Sequence, residues 1–128
     1  MSIDWNAYPN FSPDELRCSH TGLLEINPAS LARLQRLRDE YGAVMPVTSG
    51  YRHPSHPIEA AKPAPGPHTT GQAFDIRVMG GGALRLVALA VKHGFTGIGI
   101  QQKGAGRFVH LDDLTDSPGR PRPWIWSY

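Results

Sequence analysis

The chain has 128 residues, with 40% hydrophobic and 19% charged side chains and a formal net charge of +2 at pH 7. That length and balance suit one compact domain spanning residues 1–128, most simply a monomer, and exclude a wholly disordered chain. So small a charge, on basic residues scattered along the sequence, excludes the dense basic face that duplex nucleic acid requires.

Cys18 is the single cysteine. It has no partner for an intrachain disulfide and cannot build a cysteine-rich zinc site, so a metal would have to be held by histidine and carboxylate side chains. No apolar run reaches the length of a membrane span, and residues 1–15 lack the basic start and apolar stretch of a signal peptide. No membrane partner is therefore expected, and a site of action outside the cytoplasm would need delivery by another agent.

In chain order, Ser12-Pro13-Asp14-Glu15 has the pattern of an N-cap, a proline at the first helical position and a capping-box glutamate. A short helix ending near Cys18 is expected. Asn27-Pro28 opens a second helix, in which Leu31, Leu34, Leu37 and Tyr41 recur at three- and four-residue intervals and Gly42 supplies the stop. Val44 to Ser49 reads as a strand leading into Ser49-Gly50-Tyr51-Arg52. His53 to Pro67 is proline-rich and without apolar periodicity, a long surface loop of the kind that more often carries function than not.

Ala73 to Val78 alternates as a strand does. Gly80-Gly81-Gly82 then releases the chain into a helix from about Ala83 to His93, closed by Gly94. Phe95 to Gln101 and Arg107 to Asp112 are expected to pair as an antiparallel hairpin. The C-terminal stretch, rich in proline and aromatics, reads as irregular, with Trp124 and Trp126 packed back on the body. The sum is an α+β fold with a small antiparallel sheet of three to five strands flanked by helices.

Chemistry concentrates in three residues. His68 lies in a loop, Asp75 within the strand that follows, and His110 within the last strand of the hairpin. Each has an ordinary structural explanation taken alone. An aspartate or histidine inside an apolar strand is nevertheless costly to bury unless paired or metal-bound. Two histidines and one carboxylate match a catalytic zinc site whose fourth position stays open for water.

The ordered set of SGYR at Ser49–Arg52, HxxGxAxD at His68–Asp75, GxGI, and FVHLD at Phe108–Asp112 resembles the M15 zinc peptidases, in particular the small D-Ala-D-Ala carboxypeptidase-like members of phages and bacteria. The resemblance runs from about Phe11 to Trp124. It implies the sheet-and-helix architecture shared with hedgehog and lysostaphin-type enzymes, one Zn2+ held by His68, Asp75 and His110, and a peptidoglycan peptide as substrate. It also implies that Arg52 binds a substrate carbonyl or carboxylate and steadies the oxyanion.

Two departures stand out. Gly66 occupies the place of a serine two residues before the first histidine. Arg107 and Phe108 occupy the places where relatives carry the acidic or histidine general base. Asp112, on the same strand face as His110, is the local substitute as base or, equally, an orienting partner of a zinc ligand. His56 and Glu59 in the loop are further candidates for the base, and His56 also for substrate binding. The expected function is zinc-dependent hydrolysis of peptidoglycan stem peptides in the manner of a D-Ala-D-Ala carboxypeptidase; the alternatives are an L-alanyl-D-glutamate or cross-bridge endopeptidase and a zinc-containing cell-wall-binding module without hydrolysis. Phage or prophage lysis would supply the route to the cell wall.

Overall fold

The computed structural model describes residues 3–128. Helix α1 (Pro13–Leu16) begins as its capping box requires, with the Glu15 carboxylate accepting from the Ser12 N–H at 3.0 Å. Helix α2 (Pro28–Tyr41) opens on the Asn27 side chain, which accepts from the Ser30 N–H at 3.1 Å. It closes at Gly42 in the left-handed region, φ 70°. Leu31, Leu34 and Leu37 are fully buried, each contributing on the order of 1.5–3 kcal/mol by leaving water.

Five strands follow: β1 (Val47–Ser49), β2 (Ala73–Arg77), β3 (Gly97–Gln101), β4 (Phe108–Asp112) and β5 (Trp124–Ser127). They form one sheet in the order β1-β2-β4-β3-β5, antiparallel at every junction except β3–β5, which is parallel. Helix α3 (Pro57–Ala60) lies in the long loop and α4 (Gly80–Lys92) in the β2–β3 connection.

The α+β expectation holds, with four local differences. β1 is shorter than expected, because Pro46 precedes it and lacks the N–H that a ladder needs. The proline-rich loop contains the single turn α3, begun by Pro57 at its first position. α4 takes in all three glycines instead of starting at Ala83. The C-terminal stretch is not irregular: Trp124–Ser127 adds a parallel strand to β3, and the rest of the sheet is antiparallel.

The sheet has two unlike faces. Phe74, Ile76, Ile98, Val109 and Leu111 point to one side and join Leu31, Leu34, Leu37 and Leu86 of α2 and α4 in one apolar cluster. Alternate residues Asp75, His110 and Asp112 point to the other, as the period of two requires. Register then aligns a single row across the sheet: Ser49 beside Asp75, Asp75 beside His110, His110 beside Gly99, and Gly99 beside Trp126.

Gly71 sets the entry to β2. Its φ is +75°, its carbonyl accepts from the Asn27 N–H at 2.9 Å, and a Cβ there would collide with the Glu25 carbonyl oxygen. Gly71→Ala therefore combines left-handed strain with a backbone clash. It is expected to destabilise the protein by more than about 1 kcal/mol, read as a lowered urea midpoint at unchanged slope.

Candidate metal centre

His68 stands on a turn of 3-10 helix (Pro67–Thr70) between Gly66 and Gly71 and is almost wholly buried. Its Nδ1 lies 2.7 Å from the Gly50 carbonyl oxygen. A carbonyl only accepts, so Nδ1 carries the hydrogen and Nε2 is turned toward Asp75. On β2, the Asp75 Oδ1 atom lies 3.2 Å from His68 Nε2 and 3.2 Å from His110 Nδ1. The three donor atoms fall within 4.8 Å of one another, the one such group of His, Cys, Asp and Glu among the described residues.

Donors held about 2.0–2.1 Å from a tetrahedral zinc ion stand roughly 3.3 Å apart. The two observed separations of 3.2 Å fit that spacing. The donor set, two imidazoles and one carboxylate, is also the one that catalytic zinc takes, so residues and geometry both suit the ion.

His110 turns its other nitrogen, Nε2, to Asp112 Oδ2 at 2.7 Å. The two imidazole nitrogens point away from each other, so Asp112 sits behind His110 and not over the metal position. Its carboxylate is fully buried and doubly bound by Arg122, with Nε to Oδ1 at 2.9 Å and Nη2 to Oδ2 at 2.8 Å. Gly97 makes room for it: a Cβ there would lie 2.4 Å from the carboxylate oxygens.

Arg52 does reach the cluster. Its Nη2 lies 3.4 Å from Asp75 Oδ2, its Nη1 lies 3.2 Å from Glu59 Oε2, and its Nε donates to Ser49 Oγ at 3.0 Å. Glu59 is buried and also accepts from the Gly66 N–H at 2.8 Å and from Lys62. The backbone N–H at Gly66 thus meets the Glu59 carboxylate, and a Cβ at Gly66 would press on the Lys62 Nζ at 2.7 Å.

A cleft of about 420 Å³ opens on the three donors, walled by Arg52, Lys62, Phe108, Trp126 and Tyr128 among others. His56 and Glu59 are not part of that wall. His56 instead caps α3, its Nδ1 accepting from the Ile58 N–H at 3.1 Å, and its Nε2 meets Ser19 Oγ at 3.3 Å. His56 thus lies away from the cleft, while Glu59 and Asp112 are each enclosed in an ion pair, Asp112 behind His110 where an orienting partner would stand.

Reading by residue type missed Tyr128, Phe108 and Lys62 as cleft residues and Arg122 as the partner of Asp112. The alternation of Trp124, Trp126 and Tyr128 is the signal for a strand that presents aromatics on one face; the prolines before it obscured that signal. Trp126 reaches across Gly99, where a Cβ would lie 2.7 Å from the indole, to pack against His110 with ring centroids 4.9 Å apart and planes inclined at 53°. Trp124 does not pack back on the body but remains 55% exposed.

Burial opposes ionisation of Asp75 and Asp112, yet hydrogen bonds from the histidines outweigh it. Asp75 is held far below the usual carboxylate range by His110 and His68, and Asp112 is lowered to about 2 by His110 and Arg122. Burial likewise disfavours the His110 cation, but its bonds to Asp112 and Asp75 raise its pKa overall. Glu59, despite burial, is held below its ordinary value by the Gly66 N–H, Lys62 and Arg52.

The α+β fold thus presents His68, Asp75 and His110 as a group that could hold one metal ion with a position open to the cleft. The Peptidase M15 family pattern matches residues 9–112, and the chain belongs to that family, whose members are zinc-dependent metallopeptidases. No curated protein matches the chain. Among the described residues no helix is long and apolar enough to cross a membrane.

The shifts fix how the metal-free protein responds to pH. Asp112 is lowered in the folded state, so its contribution is complete above its unfolded pKa of about 3.9 and is lost as pH falls through about 2. His110 is raised, so its contribution is complete below about 6.5 and is lost as pH rises through its folded value. Chelator-stripped protein is expected to show a thermal midpoint that falls on both limbs, while zinc affinity rises along the alkaline one because the metal displaces the His110 proton. Circular-dichroism melts from pH 2 to 9 check this, and a midpoint flat above neutrality contradicts it.

Proposed function

We propose that this chain is a zinc-dependent peptidase acting on the stem peptides of bacterial peptidoglycan, in the manner of a D-Ala-D-Ala carboxypeptidase. The observation that carries the reading is the meeting of the three donors with the Arg52 guanidinium, 3.4 Å from Asp75, at one open cleft. His68, Asp75 and His110 would hold the zinc ion, which would supply Lewis acidity for a carbonyl and lower the pKa of water to about 7.

Arg52 is held in place by Ser49 and Glu59, and its planar fork suits a substrate carbonyl or carboxylate and the negative charge that develops on it. Lys62, anchored by Glu59 at the cleft, is a second cation. Two cations favour a free terminal carboxylate over an internal peptide bond, and so a carboxypeptidase over an L-alanyl-D-glutamate or cross-bridge endopeptidase. Phe108, Trp126 and Tyr128 offer an apolar wall for a small side chain such as the alanine methyl. Its site of action in this reading is the cell wall, reached by phage or prophage lysis.

One observation favours a second reading, a zinc-holding cell-wall-binding module. Phe108 stands on the metal face where relatives carry a base, with its ring 5.0 Å from that of Tyr128. Asp112 and Glu59 are enclosed in ion pairs, so Asp75 is the one carboxylate that lines the cleft.

Metal content by plasma mass spectrometry, paired with digestion of defined muropeptides before and after chelation, separates the readings. The expected outcome is near-stoichiometric zinc and chelator-sensitive loss of a terminal D-Ala. Release of an intact stem peptide marks an endopeptidase, zinc without turnover marks the binding module, and absence of metal rejects both. Arg52→Ala is expected to lower kcat by about 10²-fold or more while zinc content is retained; an unchanged kcat removes Arg52 from the mechanism.

A further inference from the structure

The metal centre draws on a segment beyond the family match. That match ends at Asp112, yet Arg122 and Trp126 come from the ten residues that lead into and form β5. Arg122 is 5% exposed at its side chain and Asp112 0%, and the pair is a two-point fork, Nε to Oδ1 at 2.9 Å and Nη2 to Oδ2 at 2.8 Å. The guanidinium also lies over the Trp126 ring, 5.2 Å from its centroid, and the same ring neighbours His110, with centroids 4.9 Å apart.

The chain of contacts has a direction. Arg122 fixes both oxygens of Asp112, a third contact comes from the Leu114 N–H at 3.3 Å, and Asp112 Oδ2 takes His110 Nε2 at 2.7 Å. The orientation that results turns His110 Nδ1 toward Asp75. A carboxylate with one of those anchors removed is free to rotate, and its Oδ2 no longer holds the His110 ring in that orientation.

We propose that Arg122 is a positioning residue of the metal centre, which acts through Asp112 to hold His110 with Nδ1 facing the ion. The proposal rests on the metal reading above and concerns residues that do not touch substrate. Gly97 and Gly99 are its structural counterpart on β3: the first leaves space for the carboxylate and the second for the indole that flanks the guanidinium. Without those two bare positions, neither the Asp112–Arg122 pair nor the Trp126–His110 contact would fit over β3.

The test is zinc titration of the full chain against a chelating dye, with thermal melts of the metal-free forms, for wild type, Arg122→Met, Asp112→Asn and the double variant. Arg122→Met is expected to raise the zinc Kd by about 10–100-fold, the range typical for loss of an outer partner of a ligating histidine. Because Arg122 acts through Asp112, the double variant is expected to match Asp112→Asn within about twofold rather than multiply the two effects. In the zinc-loaded wild type the His110 Nε2–H is expected as a slowly exchanging ring proton in the nitrogen-edited spectrum, and in Arg122→Met as a fast-exchanging one.

Wild type that binds no zinc defeats the metal reading and this proposal with it. Wild type that binds zinc beside an Arg122→Met variant of equal Kd overturns this proposal alone, as do multiplicative effects in the double variant. If Arg122→Met does not melt cooperatively, Arg122→Lys decides, since it keeps one charged donor and loses the fork. A Kd raised about threefold or more by that change supports the proposal, and an unchanged Kd overturns it.

Discussion

Everything at the centre depends on the cross-strand register that sets Asp75 beside His110. Because strand side chains alternate, the same register that turns these two residues to one face turns Phe74, Ile76, Val109 and Leu111 to the other. A slip of one residue would bury the ligands against α2 and α4 and put the core in solvent. The apolar face therefore enforces the geometry of the polar one, and the stability of the core is what keeps two donors 3.2 Å apart on neighbouring strands.

The second feature is how charge is distributed around that pair. Two carboxylates beside the centre, Glu59 and Asp112, are each neutralised by an arginine from another part of the chain, Arg52 and Arg122. Such buried pairs cost desolvation that their attraction roughly offsets, so their value lies in fixing geometry more than in stability. Arg52 is held at the cleft and His110 is held from behind, and the protein has spent its acidic groups on posture. That is why Asp75 alone faces the cleft, and why the peptidase and binding-module readings both remain tied to one site.

Much of this was legible in the residues. Asn27, Gly42 and the leucine spacing marked α2, because caps and periodicity are local properties. The three donors were legible because polar residues inside apolar strands demand an explanation. The face shared by His110 and Asp112 was legible too, but not which way the His110 ring turns, since that is decided by Arg122, ten residues further on and across a strand. α3 escaped because a single turn has no period to detect, and α4 began early because three glycines look like a release when they are in fact its first turn. β5 escaped because the prolines around Arg122 mask a four-residue alternation, and its parallel pairing is a long-range fact that no local pattern encodes.

The parallel strand has one more consequence, for how the chain behaves before it is fully folded. β5 covers the outer edge of β3, whose sequence Gly-Ile-Gly-Ile-Gln is uncharged. An uncovered edge of that kind is a template for pairing with another chain. During synthesis the rest of the sheet can form while this edge waits for the last strand to arrive. The C-terminal strand thus covers that edge, and its own outer edge, with Trp124 and Ile125 exposed, becomes the rim of the sheet.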